Sequence, residues 1–395
     1  MPGGGAIRPC PVCASLEHDV LYKQRFENFA AGSITDAYDV VACRTCGMCF
    51  ASGLPDDERF SEYYGQSSKY DMSAEGAEVS SFDAKRYEDE AKFIAEHVVD
   101  REGPVLDIGT ATGDLLVALR DRGFTSLHGV EPSPEAARKA RETHGLDVIA
   151  GDARAAKAWT AGFSVVSLVA VLEHLVDPAA ALRELTDLLT PKGILFLLVP
   201  DASRFSDHLN APYQEFSVEH INYFTSASLK NLLAAVGLEV VVEQASVVKL
   251  SEDANGPAIE VLCGRSERSY DIQVDADGVK DLRGYIQQSA EKESGVVARI
   301  AELARRQSPI YVWGTGTNAL HLLTSSRLVE CNILAFLDSN PHYAGRELAG
   351  RPVMVPGDLK EVDAPILVAS AVSQTAIATA ARGLFGPDVP LILMY

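Results

Sequence analysis

The chain has 395 residues and a formal net charge of −20 at pH 7. Binding to nucleic acid or to an anionic membrane needs a basic surface patch, and the sequence offers none, so neither partner is expected. The hydrophobic share of 47% is ordinary for soluble globular protein, and the length allows two or three domains. The longest uncharged apolar stretch, Ala158–Leu172, is shorter than the ~18–20 residues of a membrane span, and the first residues lack an apolar signal core. We therefore expect a cytoplasmic protein.

Seven cysteines are present, and five of them precede residue 50. Two C-x-x-C pairs stand out, Cys10 with Cys13 and Cys43 with Cys46. Four thiolates are common ligands of a structural Zn²⁺, and a C-x-x-C turn presents two sulfurs from one loop. The sequence therefore predicts a zinc site built from these four residues. Four reduced, buried thiols are the alternative, and Cys49 offers a further sulfur beside the second pair.

A glycine-bearing turn lies near residue 110. Residues 105–116 are typical of a buried strand that runs through a turn into a helix. Asp107, Gly109 and Gly113 have the spacing D-x-G-x-x-x-G, whereas a dinucleotide fingerprint needs G-x-G-x-x-G and this chain has Ala111. Glycines let the backbone approach a ligand closely, and open α/β sheets bind ligands at the carboxyl ends of their strands. The turn therefore predicts a ligand site.

Two further strand ends carry groups that suit an adenosine. Glu131 ends the second strand, where its carboxylate can accept hydrogen bonds from both ribose hydroxyls. Asp152 ends the third strand and can accept from the adenine amino group, while the amide of Ala153 can donate to a ring nitrogen. Strands alternate with helices, which predicts a parallel sheet in an α/β, Rossmann-like fold. Other core strands are predicted at Ser126–Val130, Phe163–Leu172, Gly193–Val199, Leu238–Glu243 and Ala258–Cys263.

This series of strand ends resembles the class I S-adenosylmethionine-dependent methyltransferases over residues 85–265. The positions that match the cofactor site of that family are Asp107, Gly109, Gly113, Glu131 and Asp152. The resemblance implies S-adenosylmethionine as the cofactor. The alternative is an NAD-type Rossmann domain, which Ala111 and the Asp107 carboxylate disfavour.

The sequence pattern divides the chain into four parts. Residues 1–70 are expected to form a zinc-binding domain, and residues 71–270 the methyltransferase core. Residues 271–308 are charged and lack proline, which favours one long linking helix. Residues 309–395 repeat the strand–turn–helix pattern, which predicts a smaller Rossmann-like domain. Its turn at residues 314–316 either binds a nucleotide or only packs against the sheet.

A loop after the fifth core strand is the best candidate for the acceptor side of the site. It contains Glu219 and His220, shortly before the predicted helix Ser226–Val236. A histidine with a pKa near neutrality can take a proton from a carbon, hydroxyl or amine, and a neighbouring carboxylate can raise its basicity. His174 follows the fourth strand and is expected near the same place. A purely structural role is the alternative for both histidines.

The layout of the whole chain resembles the zinc-containing sugar C-methyltransferases, which act on nucleotide-linked keto-deoxysugars. The resemblance is carried by the N-terminal cysteine pairs, by Glu-His before the last core helix, and by Asp338–Pro341 near the C-terminus. It implies that His220 is the base that removes the proton next to a keto group, and that His174 lies at the acceptor. It also implies a nucleotide sugar as the small-molecule partner, in antibiotic or surface-glycan biosynthesis.

Two residues depart from that family. Ser217 stands where the family has tyrosine, and Ala170 stands where it has asparagine. These departures favour the alternative of O- or N-methylation of a sugar or natural product. An alternative of another class is a non-catalytic, nucleotide-binding scaffold. The sequence leaves the oligomeric state open.

Overall fold

A computed structural model of the chain describes residues 7–29, 34–66, 80–159, 162–268 and 270–395. The N-terminal part combines short antiparallel strands with one helix. Its elements are β1 (His18–Arg25), β2 (Ala37–Cys43), β3 (Cys49–Ser52) and α1 (Asp57–Gln66). Among the described residues, no helix is long and apolar enough to cross a membrane.

The central part alternates strands and helices, as its sequence pattern predicts. Its helices are α2 (Ser81–His97), α3 (Asp114–Arg120), α4 (Pro134–His144), α5 (Pro178–Leu188) and α6 (Ser226–Ala235). Its strands are β4 (Val105–Ile108), β5 (Leu127–Glu131), β6 (Asp147–Ala150), β7 (Phe163–Val169), β8 (Leu189–Pro200), β9 (Asn222–Tyr223), β10 (Leu238–Lys249) and β11 (Asn255–Arg265). Seven of them form a sheet in the order β10-β11-β8-β7-β4-β5-β6, in which β11 runs antiparallel to both neighbours.

Several predicted strand bounds are wrong. β8 begins at Leu189 instead of Gly193, and β11 spans Asn255–Arg265 instead of Ala258–Cys263. The fourth strand was expected to reach Leu172, but β7 ends at Val169 because Ala170 has a left-handed φ of 52° that an extended strand does not allow. The strand expected to end at residue 243 continues to Lys249. Polar Gln244 interrupts the apolar pattern there, yet pairing with β11 continues through it, so the strand does not stop where its hydrophobicity does.

The strand order creates the place for a ligand. β4 lies inside the sheet, with β5 on one side and β7 on the other. The strands that follow β4 in sequence, β5 and β6, lie on one side of it, and the later strands β7 and β8 lie on the other. The loops after β4 and β7 therefore diverge. In open α/β sheets, such a reversal opens a crevice at the carboxyl ends of the strands. The predicted cofactor residues all lie in or just after the strands and loops on this edge.

The fourth strand of the N-terminal sheet comes from the central part of the chain. Its order is β1-β2-β3-β9, and β9 comes from the same loop as the predicted Glu-His pair. β9 runs antiparallel to β3, with Tyr223 opposite Cys49 and Asn222 opposite Phe50. A strand of two residues leaves no periodic signal in a sequence. The pairing ties the N-terminal part to the candidate acceptor loop.

The C-terminal part begins after one long helix, α7 (Ala276–Arg306). This helix is part of the hydrophobic core as well as a linker. Its buried residues pack with residues of the N- and C-terminal parts, and they include Leu282, Tyr285, Val296 and Ile300. The remaining elements are β12 (Ile310–Trp313), α8 (Thr317–Ser325), β13 (Ile333–Leu337), β14 (Glu347–Leu348), β15 (Arg351–Met354), β16 (Ile366–Val368), α9 (Gln374–Phe385) and β17 (Leu391–Leu393). Their strands form a six-stranded sheet in the order β14-β15-β13-β12-β16-β17.

Candidate active site

A cleft of about 1200 Å³ opens at the carboxyl ends of the central parallel strands. All three parts of the chain line it: α1 contributes Tyr63 and Tyr64, and the C-terminal part contributes Tyr343 and Arg346. The predicted site residues in its lining are Asp107, Gly109, Glu131, Asp152, Ala153, His174, Glu219 and His220. The structure therefore brings the predicted cofactor residues and acceptor residues into one space.

Asp107 in β4 is almost fully buried beside the cleft. Its Oδ1 accepts a hydrogen bond of 2.6 Å from the hydroxyl of Ser167, the residue paired with it on β7. Burial raises the pKa of this carboxyl to about 6, although the bond from Ser167 opposes the rise. The protonation state of Asp107 is therefore sensitive to what binds next to it.

The turn after β4 uses its two glycines differently. Gly109 has a φ of 75°, and a Cβ at this position would lie 2.7 Å from Val171 Cγ2. Gly113 has a φ of 89° and caps the start of α3, where a Cβ would clash with Leu146. Gly113 lies outside the described lining of the cleft. Both glycines therefore have a packing reason, and of the two Gly109 lines the cleft. The close approach of a ligand at Gly109 stays a prediction.

Glu131 ends β5, and backbone amides fix its carboxylate. Oε2 accepts from the amide of Ala111 at 2.9 Å, and Oε1 accepts from the amide of Ser133 at 2.9 Å. The carboxylate thus holds the glycine turn in place against the start of α4. Each carboxylate oxygen has two acceptor positions, so these bonds are compatible with acceptance from vicinal hydroxyls as well.

Asp152 follows β6, and its carboxylate accepts hydrogen bonds from a residue of its own loop. Its Oδ1 accepts from the backbone amide of Arg154 at 2.9 Å and from the Arg154 Nε at 3.1 Å. The hydrogen bond from this guanidinium holds the pKa of the Asp152 carboxyl below its usual range. An adenine amino group would have to share the carboxylate with Arg154, which the sequence did not indicate. Ala153 is the first residue of the 3₁₀ turn that follows Asp152, and it lines the cleft.

His174 lies in the short turn after β7, and its ring makes hydrogen bonds through Nδ1. Its Nδ1 is 3.0 Å from the Tyr64 hydroxyl and 3.2 Å from the carbonyl oxygen of Glu219. A carbonyl can only accept, so Nδ1 is assigned as the protonated nitrogen and Nε2 carries the lone pair. The ring centre of His174 lies 5.0 Å from that of His220. The two predicted acceptor-side histidines are therefore neighbours.

Glu219 and His220 share a turn that Ser217 holds. The Ser217 hydroxyl accepts from the backbone amides of Glu219 at 3.2 Å and His220 at 3.0 Å. The carboxylate of Glu219 accepts from the Tyr63 hydroxyl at 2.8 Å and so faces α1. Ser217, which stands where the family has tyrosine, thus stabilises this turn through its short hydroxyl side chain. An orienting role of Glu219 toward His220 stays a prediction.

Glu173 is a candidate that the sequence analysis did not single out. It lines the cleft beside His174, and only 1% of its surface is exposed. Neither of its carboxylate oxygens has a hydrogen-bond partner among the described residues. Burial raises the pKa of this carboxyl to about 8. Its place directly after the predicted fourth strand is the one signal in the sequence, and such a place is shared by many carboxylates without a function.

The four predicted zinc ligands come together around the two C-x-x-C turns. The Sγ atoms of Cys10 and Cys46 are 3.5 Å apart, as are those of Cys13 and Cys43. All four sulfurs lie within 4.8 Å of one another. Bonds of ~2.3 Å to a tetrahedral Zn²⁺ separate sulfurs by about 3.8 Å, so the cluster fits this ion. Cys49 is buried in β3 and is not a member of the cluster.

Residues 80–243 match the sequence profile of a family described as a methyltransferase domain. This part of the chain is a class I S-adenosylmethionine-dependent methyltransferase domain. For residues 80–243, the predicted methyltransferase family and its Rossmann-like fold are thereby confirmed. The nucleotide-sugar subtype stays a prediction.

A curated relative is similar to part of the methyltransferase domain. It is the ubiquinone biosynthesis O-methyltransferase of Neisseria meningitidis serogroup C, with 29% identity over 111 residues, which are 26% of this chain and 47% of the relative. The chain thus spans about half the length of the curated relative that it matches. Among solved structures, it is similar to the CcbJ methyltransferase of Streptomyces caelestis, with 18% identity over 48% of this chain and 97% of the other and a TM-score of 0.38. The magnesium protoporphyrin IX methyltransferase of Synechocystis is similar with 14% identity over 53% of this chain and 97% of the other, and a TM-score of 0.38.

Proposed function

We propose that the protein transfers a methyl group from S-adenosylmethionine to a small polar acceptor bound in the cleft. The proposal is carried by one arrangement: residues suited to the cofactor, such as Asp107 and Glu131, line the same space as His174 and His220. When bound, S-adenosylmethionine supplies an electrophilic methyl group on a sulfonium sulfur. The residues of the chain then hold the acceptor near that group and take up its proton.

Residues at successive strand ends would hold the cofactor. Glu131 accepts from the ribose hydroxyls, and Asp152 with the amide of Ala153 faces the adenine. Gly109 lets the backbone of the turn come close. The buried carboxyl of Asp107 is suited to the cationic end of the cofactor, since an opposite charge favours its ionised form.

The acceptor we favour is a nucleotide-linked keto-deoxysugar. Supporting this choice, the cleft extends from the methyltransferase domain to residues of the N- and C-terminal parts, which gives room for a long ligand. Arg59 and Arg346 lie in its lining, and guanidinium groups suit a diphosphate. The rings of Tyr63, Tyr64 and Tyr343 offer apolar surface for a sugar or base.

His220 is the proposed base. Its ring nitrogen removes the proton next to the keto group, and the electron pair of that C–H bond forms an enolate on the acceptor. The enolate carbon then bonds to the methyl carbon while the methyl–sulfur bond breaks, and the proton remains on His220 until solvent takes it. Glu219 supplies a negative charge near the imidazolium, and His174 is proposed to contact the acceptor.

O- or N-methylation is the second candidate reaction. Two observations favour it: Ser217 is occupied in capping its turn, and Ala170 offers no polar side chain to a keto sugar. Transfer to a hydroxyl or amine needs only a held nucleophile and one base, and His220 is placed to be that base too.

The proposed function includes one structural Zn²⁺ on Cys10, Cys13, Cys43 and Cys46. The ion would fix the two C-x-x-C turns relative to each other. It would take no part in methyl transfer, since the cysteines belong to a cluster separate from the residues that line the cleft.

His220→Ala tests the base. General base catalysis contributes about 10²–10⁴-fold, so turnover is expected to fall by that factor while S-adenosylmethionine affinity, measured by calorimetry, stays near that of the wild type. His144→Ala is the matched control, because His144 ends α4, is half-buried and lies outside the described lining of the cleft. In deuterated solvent, the wild type is expected to place deuterium next to the keto group of the acceptor, and the variant is not.

The outcomes separate the two reactions. Full turnover of His220→Ala on the true acceptor would remove the base assignment. A loss of turnover without deuterium at any acceptor carbon would contradict C-methylation and support transfer to oxygen or nitrogen.

A further inference from the structure

The carboxyl group of Glu173 is the least explained ionisable group in the cleft. It is buried to 1% exposure, yet its two oxygens lack hydrogen-bond partners among the described residues. The Nε2 atom of His174 lies 4.0 Å from Glu173 Oε1. Burying a carboxylate without partners is costly, so such a group is normally compensated by a cation or a donor. Glu173 lies in the lining of the cleft.

The ring of His174 is oriented as a ligand. Its Nδ1 is held by the Glu219 carbonyl and the Tyr64 hydroxyl, and its Nε2 is the ring nitrogen that lies 4.0 Å from Glu173 Oε1. Histidines that ligate metals usually donate their other ring N–H to a carbonyl or carboxylate, and this bond fixes the tautomer. Tyr64 and Glu219 therefore supply the outer hydrogen bonds that a metal site needs.

His220 completes a set of three. One ring nitrogen of His220, one of His174 and one oxygen of Glu173 all lie within 4.8 Å of one another. We propose that Glu173, His174 and His220 bind one divalent transition-metal ion in the cleft. Two imidazoles and one carboxylate suit Fe²⁺, Co²⁺, Ni²⁺ or Zn²⁺, and three ligands leave coordination positions open toward the cleft.

Metal binding by these three residues is a property beyond the proposed methyl transfer, and it does not depend on that function. It has one consequence that does rest on the proposed function: a ring nitrogen of His220 that binds a metal ion cannot also accept a proton. If His220 is the base, a bound ion and the acceptor proton compete for the same lone pair. Metal binding at this site is then expected to inhibit turnover.

Co²⁺ titration of the full-length protein tests the binding site. The four-cysteine cluster is first loaded with Zn²⁺, and excess Mg²⁺ is present to occupy surface carboxylates, since Mg²⁺ prefers oxygen ligands. We expect calorimetry to show one Co²⁺ per chain. The near-ultraviolet charge-transfer absorption of cobalt–thiolate bonds should be absent, which shows that the ion is not in the cysteine cluster.

Variants then locate the ion. Glu173→Gln and His174→Gln keep the side-chain size and are expected to weaken Co²⁺ binding at least about tenfold. Glu90→Gln is the matched control: Glu90 is 2% exposed, its carboxylate likewise lacks hydrogen-bond partners among the described residues, and it is not part of the cluster. Unchanged binding in Glu173→Gln, or an equal loss in Glu90→Gln, would overturn the site. Neither result depends on turnover, so the base assignment of His220 stands or falls separately.

Discussion

Asp107 shows how one buried carboxyl can link cofactor binding to pH. Its pKa of about 6 in the folded protein lies above the unfolded value of 3.8, because burial disfavours the charged form. The folded state therefore holds this proton more tightly than the unfolded state does. The contribution of Asp107 to stability accordingly falls as the pH rises through this window. A positively charged ligand beside the carboxyl reverses that preference.

Cofactor binding is therefore expected to release a proton from Asp107. Near pH 6, about half of the Asp107 carboxyls are protonated without ligand, and the cationic cofactor should lower their pKa. Calorimetry in buffers of different ionisation enthalpy should show release of up to about half a proton for the wild type near pH 6 and almost none at pH 8. Asp107→Asn should show none at either pH. Equal release by the variant would assign the proton to another group.

At the scale of elements, Arg8 connects the two loops that carry the candidate site. Its guanidinium donates to the carbonyl oxygens of Leu175 at 3.1 Å and Val176 at 3.0 Å, just after His174. It also donates to the carbonyl of Ile221 at 3.1 Å, just after His220. Arg8 is buried, which lowers its pKa to about 10, so the group stays charged at neutral pH.

Arg8→Met is expected to lower the free energy of unfolding by roughly 3–5 kcal/mol, because it removes a buried, charged donor from several carbonyl oxygens at once. Urea denaturation measures this change. Arg8→Lys restores the charge but not the fork of donors, and is expected to recover only part of the loss. Arg44→Met is the control, since Arg44 pairs with Asp19 at the exposed surface and such pairs contribute little to stability. A loss for Arg8→Met no larger than for Arg44→Met would contradict the bridging role.

The parts of the site that the sequence predicted are those that depend on local pattern. Apolar runs and glycine spacing mark where strands end, so the location of Asp107, Glu131 and Asp152 at one edge of the sheet could be predicted from neighbouring residues. Arg8 was not predicted, because its partners lie up to 214 positions away. Glu173 was not either, since its burial and its distance to His174 arise only when the loops pack. The left-handed backbone of Ala170 was missed because alanine rarely adopts it.

At the scale of the whole molecule, the cysteine cluster is packed against the start of the long helix α7. The backbone amide of Asp275 donates to the carbonyl of Cys46 at 2.9 Å. Gly47 has a φ of 80°, and a Cβ there would lie 2.5 Å from the Asp275 carbonyl oxygen. The second C-x-x-C turn therefore touches the helix that leads to the C-terminal part, and a zinc ion in the cluster would stabilise more than the N-terminal residues.

Cys43→Ser is expected to remove about one Zn²⁺ per chain, because three thiolates hold the ion much less tightly than four. Mass spectrometry of the metal content measures the loss, and the midpoint of thermal unfolding should fall with it. Cys49→Ser is the control and should keep its zinc. Loss of zinc in Cys49→Ser with full content in Cys43→Ser would exchange the roles of the two residues.

The pairing of β3 with β9 bears on the order in which the chain can fold during synthesis. The edge of β3 stays unpaired until residues 222 and 223 have left the ribosome, well after the cysteines have emerged. Closing so long a loop is slow compared with forming local hairpins, and an open strand edge invites association with other chains. The N-terminal residues are therefore an unsuitable fragment to express alone. A truncated protein that ends before β9 would expose the same edge permanently.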